Sequence, residues 1–127
     1  MEGDYDTALR EGEYAVQLYI KSLIYRVIGE EVRGHNIREL LGILASALLE
    51  EGLEEYSRQV IDYVGRNRRK LIELSDAHTR ATYGLFEYGR REAELLLNTV
   101  KEVINLLKGI EENVFRRKTL EKTTDTT

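Results

Sequence analysis

Residues 12–49, GEYAVQLYIKSLIYRVIGEEVRGHNIRELLGILASALL, decide the fold of this chain. The first half of the stretch carries apolar residues on more than one side of a helix: Ala15, Val16, Leu18, Tyr19, Ile20, Leu23, Ile24, Val27 and Ile28. A surface helix needs only one apolar stripe, so two or more neighbouring helices must cover this one. The sequence therefore predicts a long central helix that starts near Asp4 or Asp6, ends at Ile28 and is stopped by Gly29.

A second helix follows a short charged connection. Asn36 followed by Glu39 is a variant of the capping box, in which side chains at a helix start satisfy free backbone N–H groups. Apolar residues then recur at helical spacing: Ile37, Leu40, Leu41, Leu44, Ala45 and Leu48. We predict that this helix ends at Glu50 and Glu51, where Gly52 stops it.

The pattern is less regular over residues 53–84. Apolar residues predict a short helix over residues 53–64, and an apolar face resumes at Leu71. Gly65 breaks or kinks the chain between the two, and Gly84 is placed to end the segment. The sequence leaves open whether this region forms one kinked helix or two.

The last helix has the clearest helical spacing, with apolar residues at Ala93, Leu96, Leu97, Val100, Val103, Ile104, Leu107 and Ile110. We predict that it starts between residues 85 and 90 and ends at about Phe115. The chain from Arg116 has almost nothing to bury and is expected to be disordered. The sequence thus predicts one all-α domain, an up-and-down four- to five-helix bundle over residues 1–115, with a disordered C-terminal tail over residues 116–127.

Composition excludes several classes of protein. The 127 residues include no Cys, so disulfides and thiolate–metal sites are excluded. The N-terminus is acidic and lacks the apolar region of a signal peptide. No apolar stretch approaches the length of a membrane span. We therefore expect a cytoplasmic protein that makes no use of a membrane.

The net charge of −4 is unevenly distributed along the chain. Residues 1–65 hold 6 basic and 13 acidic side chains, whereas residues 66–91 hold 7 basic and 3 acidic ones. One interpretation of this local basic zone is a solvated face paired with the many Glu residues. The other interpretation is an anion or phosphate site.

Few residues are available for chemistry. The chain has two His and Ser at positions 22, 46, 57 and 75, and no local motif joins them into a catalytic triad. It has no Gly-rich phosphate loop and no Glu-x-x-His pair of the di-iron bundle kind. His35 and Glu39 are four residues apart, but a metal site needs at least three convergent ligands. We therefore expect no catalytic residue, no metal site and no cofactor.

Several motifs together resemble the HEPN domain family. The family's opening is matched by Ala15, Tyr19, Lys21 and Leu23, then Gly29, then Gly34, His35 and Asn36, then Leu40 and Leu41. The segment DAHTRATYG of residues 76–84 is similar to the family's segment that ends in Arg-Tyr-Pro. The last helix, from Glu92 to Leu107, is similar to the family's Ala-rich last helix. The resemblance covers about residues 8–110.

Two departures from the family pattern bear on activity. Thr82 stands where the family usually has Arg, with Arg80 two residues earlier, and Gly84 replaces Pro. The ribonuclease members carry an Arg followed after four to six residues by His, and neither His35 nor His78 has an Arg at that offset. RNA cleavage is therefore poorly supported.

The resemblance implies a helical bundle that forms a homodimer and acts beside a minimal nucleotidyltransferase protein, either as its nucleotide- or substrate-binding subunit or within a toxin–antitoxin pair. The favoured hypothesis is a non-catalytic subunit that binds a nucleotide or another phosphate-bearing ligand. The alternatives are a ribonuclease toxin and a purely structural dimerising module. Tyr14, Leu18 and Tyr25 also favour a homodimer, because they lie outside the main apolar stripes of the first helix.

We expect any site to join the start of the second helix to the DAHTRATYG segment, where a cleft between bundle helices can hold a ligand. His35 lies just before a helix N-terminus, which favours an anion, and the cations would neutralise phosphate. A structural role for either His, and a core position for Tyr83, are the competing interpretations. The predicted nucleotide-binding residues are Lys21, Arg33, His35, His78, Arg80 and Tyr83.

Overall fold

The structure, a computed structural model, describes the backbone of residues 2–34, 36–83 and 90–125 and the side chains of residues 5, 7–34, 36–76 and 90–116. The described backbone contains no strand, so the all-α prediction is confirmed. In chain order the helices are α1 (Glu2–Ile28), α2 (Ile37–Glu50), α3 (Glu54–Arg66), α4 (Arg68–Tyr83) and α5 (Arg90–Asp125).

Helix α1 is central, as the sequence predicts. It packs against α2, α4 and α5, and its inward residues Val16, Ile20, Leu23 and Ile24 are fully buried. It begins at Glu2, ahead of the predicted Asp4 or Asp6, because the acidic residues of this segment suit the positive end of the helix dipole. Gly29 ends it with φ of 73°, a left-handed conformation that a residue without a Cβ atom adopts freely.

Helix α2 has the predicted cap and stop. Oδ1 of Asn36 accepts hydrogen bonds from the backbone N–H groups of Arg38 at 2.9 Å and Glu39 at 3.4 Å. At the other end Gly52 takes a φ of 78° and lets the chain turn into α3. Oγ of Ser57 then donates to the carbonyl oxygen of Ala45 at 2.7 Å, which ties α3 to α2.

Residues 53–83 form two helices rather than one kinked helix. The break lies at Asn67, and the predicted break at Gly65 is wrong because Gly65 lies inside α3. Asn67 ends α3 because both its backbone N–H and its side-chain amide donate to the carbonyl oxygen of Tyr63, each at 3.0 Å. These bonds satisfy an acceptor that the helix end would otherwise leave free. The predicted stop at Gly84 lies outside the described residues.

Helix α5 begins at Arg90, at the end of the predicted range, and its backbone continues to Asp125. The predicted end at Phe115 is wrong because the following residues, RRKTLEKTTD, contain several strong helix formers and neither Gly nor Pro. The division of the chain into a bundle over residues 1–115 and a disordered tail over residues 116–127 stays a prediction.

Helices α1 and α5 lie side by side and run in the same direction. A Cβ atom at Gly12 would lie 3.3 Å from Cγ1 of Val100, and further along both helices Tyr19 and Arg26 contact Glu111. The first and fifth helices of an up-and-down bundle are expected to be parallel, so these contacts agree with the predicted architecture.

We expect Asn36→Ala to lower the free energy of unfolding by about 1 kcal/mol, because it removes the oxygen that caps α2. For a domain of this size the thermal midpoint should fall by about 4 °C. The matched control is Ser46→Ala, an exposed residue of the same helix, which should change the stability by less than about 0.5 kcal/mol. Equal midpoints for the two variants would contradict the capping role.

Candidate functional site

An open cavity of about 490 Å³ lies between the C-terminal half of α1 and the connection to α2. We call it the α1 cavity. Its volume falls within the range of small-molecule sites. It is lined by Lys21, Ser22, Tyr25, Arg26, Glu31 and Val32.

Lys21 and Tyr25 give the α1 cavity a cation and an aromatic ring on one helix face. They are four residues apart, so their side chains are neighbours on α1. Lys21 is partly buried, and it forms no ion pair with any residue in the described part of the chain. Tyr25 is 52% exposed. A lysine ammonium can bind a phosphate as a point charge, and a tyrosine ring can stack on a base.

Arg26 forms a wall of the cavity, but its charge is already compensated. One guanidinium nitrogen, Nη1, lies 2.7 Å from Oε2 of Glu111. The guanidinium carbon lies 3.8 Å from the centre of the Phe115 ring, within the range of a cation–π contact. These contacts fix Arg26 between α1 and α5 and leave Lys21 as the cation of the cavity that has no acidic partner among the described residues.

Tyr19 holds Glu111 in place from the inner side. Its hydroxyl donates to Oε1 of Glu111 at 2.8 Å. Burial, the hydrogen bond to Glu111 and the charge of that carboxylate raise the pKa of Tyr19 to about 12. The hydroxyl therefore stays protonated near neutral pH and remains a donor, so Glu111 can accept from Tyr19 and Arg26 at once.

A second tyrosine–carboxylate contact joins α3, α4 and α5. The hydroxyl of Tyr63 donates to Oε2 of Glu102 at 3.2 Å, and Nζ of Lys70 lies 3.7 Å from Oε1 of the same carboxylate. Burial and the negative charge of Glu102 raise the pKa of Tyr63. This contact belongs to the packing of the bundle, since Tyr63 is buried and the contact joins three packed helices.

Two of the six predicted site residues have described side chains. Lys21 lines the α1 cavity, and Arg33 is exposed on the connection, next to the lining residue Val32. His35 lies outside the described residues. The other three are His78, Arg80 and Tyr83, which lie on the backbone of α4, while their side chains lie outside the described part.

Within one chain the order of the helices keeps Lys21 and Arg33 apart from the predicted site residues on α4. Lys70, at the start of α4, contacts Glu102, and six residues of the sequence separate the end of α4 from Arg90 at the start of α5. The C-terminal part of α4 therefore points toward the Arg90 end of α5, whereas the α1 cavity lies near Glu111. Along α5 the rise from Arg90 to Glu111 is about 32 Å, at about 1.5 Å per residue. The role of each residue in binding stays a prediction.

The basic zone of residues 66–91 is partly paired within the bundle. Lys70 pairs with Glu102, and Nε of Arg90 lies 3.0 Å from Oε1 of Glu94. Arg68 and Arg69 are exposed beside the junction of α3 and α4. Such exposed pairs add little to stability, and the two that are formed favour the solvated-face interpretation for Lys70 and Arg90.

Sequence reasoning missed most walls of the α1 cavity. Tyr25 was expected at an interface, and Arg26, Glu31 and Val32 were not expected in a site at all. The one signal in the sequence is the Lys21–Tyr25 spacing of four residues on a helix. Among the residues with described side chains, no group of three His, Asp or Glu is placed to hold a metal ion.

The domain is an all-α, up-and-down bundle of five described helices, with a cationic and aromatic cavity beside its central helix. The HEPN domain model matches residues 1–110 of the 127 residues. The chain therefore belongs to the HEPN domain family, which confirms the resemblance noted in the sequence. The comparisons found no matching curated protein and no matching solved structure. Membership supports a function of the nucleotide-binding or ribonuclease type.

None of the helices in the described part of the chain is both long enough and apolar enough to cross a membrane. HEPN domains often dimerise.

We expect a difference titration of the wild type and Tyr19→Phe, followed by absorbance at 295 nm, to have a midpoint near pH 12. In 8 M urea the same difference should move to about pH 10, the ordinary value for tyrosine. The folded pKa is the higher one, so the contribution of Tyr19 to stability is complete below pH 10 and is lost as pH rises toward 12. A folded-state midpoint near 10 would show that the contact with Glu111 is absent.

Proposed function

We propose that this chain is a non-catalytic subunit that binds a nucleotide, or another phosphate-bearing ligand, in the α1 cavity. We further propose that it acts beside a minimal nucleotidyltransferase, a pairing that the family resemblance also connects with toxin–antitoxin systems. The observation that carries the binding proposal is Lys21 next to Tyr25 in a cavity of about 490 Å³. Family membership supports a nucleotide as the class of ligand.

The lining residues suggest how such a ligand would lie. Phosphate oxygens would approach Lys21, because Arg26 is engaged by Glu111. A base or sugar would lie toward Tyr25 and Val32. Glu31 repels phosphate but accepts hydrogen bonds, so its carboxylate suits an amino or hydroxyl group of the ligand. Arg33 extends from the same connection and could add a second cation.

Binding without catalysis is supported by the sequence around the two His residues. Neither His35 nor His78 follows an Arg at the spacing that the ribonuclease members carry. Ser22 in the lining of the α1 cavity donates its hydroxyl to the carbonyl oxygen of Tyr19 at 2.8 Å rather than to a side-chain base that would activate it as a nucleophile. Degradation of single-stranded RNA by the purified protein would overturn this part of the proposal.

We also propose that the chain forms a homodimer through one face of α1. Three large apolar side chains on this helix remain open to solvent: Tyr14 is 57%, Leu18 is 48% and Tyr25 is 52% exposed. Their spacing places them on one stripe, which we call the open face of α1. Exposed apolar patches on one face mark interaction surfaces.

For the ligand we expect ATP to raise the thermal midpoint of the wild type and to raise that of Lys21→Ala much less. A ligand at 100 times its dissociation constant adds about 2.7 kcal/mol to the free energy of unfolding. The control is Lys108→Ala, an exposed residue of α5, which should respond to ATP as the wild type does. No shift with ATP, GTP or inorganic triphosphate would overturn the binding proposal.

For the dimer we expect Leu18→Asp to give a monomer in light scattering at micromolar concentration, because it would bury a carboxylate at the centre of the interface. Ile61→Asp is the matched control. Ile61 is 57% exposed on α3, which packs mainly against α2. This variant should remain a dimer. A monomeric wild type, or dissociation of both variants, would contradict an interface on α1.

A further inference from the structure

The charges at the lining of the α1 cavity cancel among the described side chains. Lys21 and Arg26 line it as cations, and Glu31 lines it as an anion. The carboxylate of Glu111 compensates Arg26, with an oxygen 2.7 Å from a guanidinium nitrogen. With two cations balanced by two carboxylates, the cavity attracts an anion only where a cation stands apart from the carboxylates.

Lys21 is the cation that stands apart. It forms no ion pair with Glu31, although both residues line the cavity, or with any other carboxylate in the described part of the chain. The cavity therefore presents a separate ammonium group and a separate carboxylate. An ammonium group binds one phosphate as a point charge, and a carboxylate accepts hydrogen bonds from N–H or O–H groups of a ligand.

Arg26 offers no site for a second phosphate. Glu111 is held by Arg26 through one oxygen and by the hydroxyl of Tyr19 through the other, at 2.8 Å. If a phosphate took Arg26 from Glu111, the bond to Tyr19 would keep the carboxylate beside that phosphate. The like charges would then repel each other in a partly buried place, where water screens them less than in bulk solvent.

The connection between α1 and α2 adds no net positive charge to the cavity. Residues 29–36 include Glu30, Glu31 and Arg33 as their charged residues, and all three are exposed. The two carboxylates outweigh the one guanidinium. A phosphate monoester carries a charge of about −1.5 to −2 at pH 7, and each further phosphate of a di- or triphosphate adds negative charge that no uncompensated cation of the lining meets.

We propose that the α1 cavity prefers a nucleotide with a single phosphate group, and that Glu111 sets this preference by compensating Arg26. The inference rests on the proposed function and specifies the class of nucleotide. ATP still binds, because Lys21 can contact one of its phosphates, but it binds more weakly than AMP. Glu111 acts through Arg26 without touching the ligand, so it is a positioning residue.

The ratio of AMP affinity to ATP affinity tests this inference. Calorimetry at low salt and without divalent cations should give the wild type a dissociation constant for AMP about threefold or more below that for ATP. In Glu111→Gln the guanidinium of Arg26 becomes an uncompensated cation for the second and third phosphates. This variant should bind ATP about fivefold more tightly, and AMP less than about twofold more tightly. The gain should shrink at high salt.

Two further variants show whether the effect passes through Arg26. Glu112→Gln removes the same charge from the next residue of α5, which is exposed, and should leave the AMP-to-ATP ratio unchanged. The double variant Arg26→Gln/Glu111→Gln lacks the new cation and should lose the gain for ATP. In Glu111→Gln the titration midpoint of Tyr19 should fall below about 12, because the hydrogen bond to the carboxylate and its negative charge are gone.

The outcomes separate this inference from the proposed function. Tighter binding of ATP than of AMP by the wild type, or an equal change for both nucleotides in Glu111→Gln, would overturn the inference while the α1 cavity remained a nucleotide site. Failure of the wild type to bind either nucleotide would overturn both. If circular dichroism shows Glu111→Gln unfolded, Arg26→Gln replaces it: this variant leaves Glu111 uncompensated and should weaken ATP more than AMP, and an equal loss would contradict the inference.

Discussion

The structure depends on the burial of α1 by three other helices. Its inward residues, among them Val16, Ile20, Leu23 and Ile24, are removed from water entirely, and each such side chain contributes about 1.5–3 kcal/mol. Three neighbours cover most of the circumference of a helix but not all of it. The remaining strip carries exposed Leu18 and two exposed tyrosines, so the helix that organises the core also holds the surface through which we propose that the chain dimerises.

Local signals in the sequence were sufficient for much of the fold. Asn36, Gly29 and Gly52 mark helix ends because capping and left-handed turns depend on a few adjacent residues. The prediction of a break at Gly65 was wrong because a helix tolerates a glycine when packing against neighbouring helices stabilises it. The break lies at Asn67, whose contacts with Tyr63 end α3. The buried pair in which Nε2 of Gln17 donates to Oε1 of Glu13 at 2.6 Å was also unforeseen, because polar residues on a long helix usually face solvent.

The sequence predicted only part of the candidate site. Lys21 came from the family resemblance, and the structure places it in a cavity. Arg26 is a second cation on the same helix, but Glu111, 85 positions away in the sequence, neutralises it. One sequence gives no sign of such a distant pair. Glu31 and Val32 enter the cavity only because the connection after Gly29 folds back along α1, which spacing along a helix does not predict.

The proposed homodimer through the open face of α1 also bears on the separation of the predicted binding residues. Within one chain the α1–α2 connection and the C-terminal part of α4 lie at opposite ends of the bundle, about 32 Å apart along α5. An antiparallel pair of α1 helices brings the N-terminal end of one copy beside the C-terminal end of the other. Because the end of α4 lies at the N-terminal end of α1, the partner's α4 terminus would then lie at the end of the bundle that holds Lys21 and Arg33. The α1–α2 connection and the C-terminal part of α4 can thus contribute to one site only in a dimer in which the two α1 helices are antiparallel.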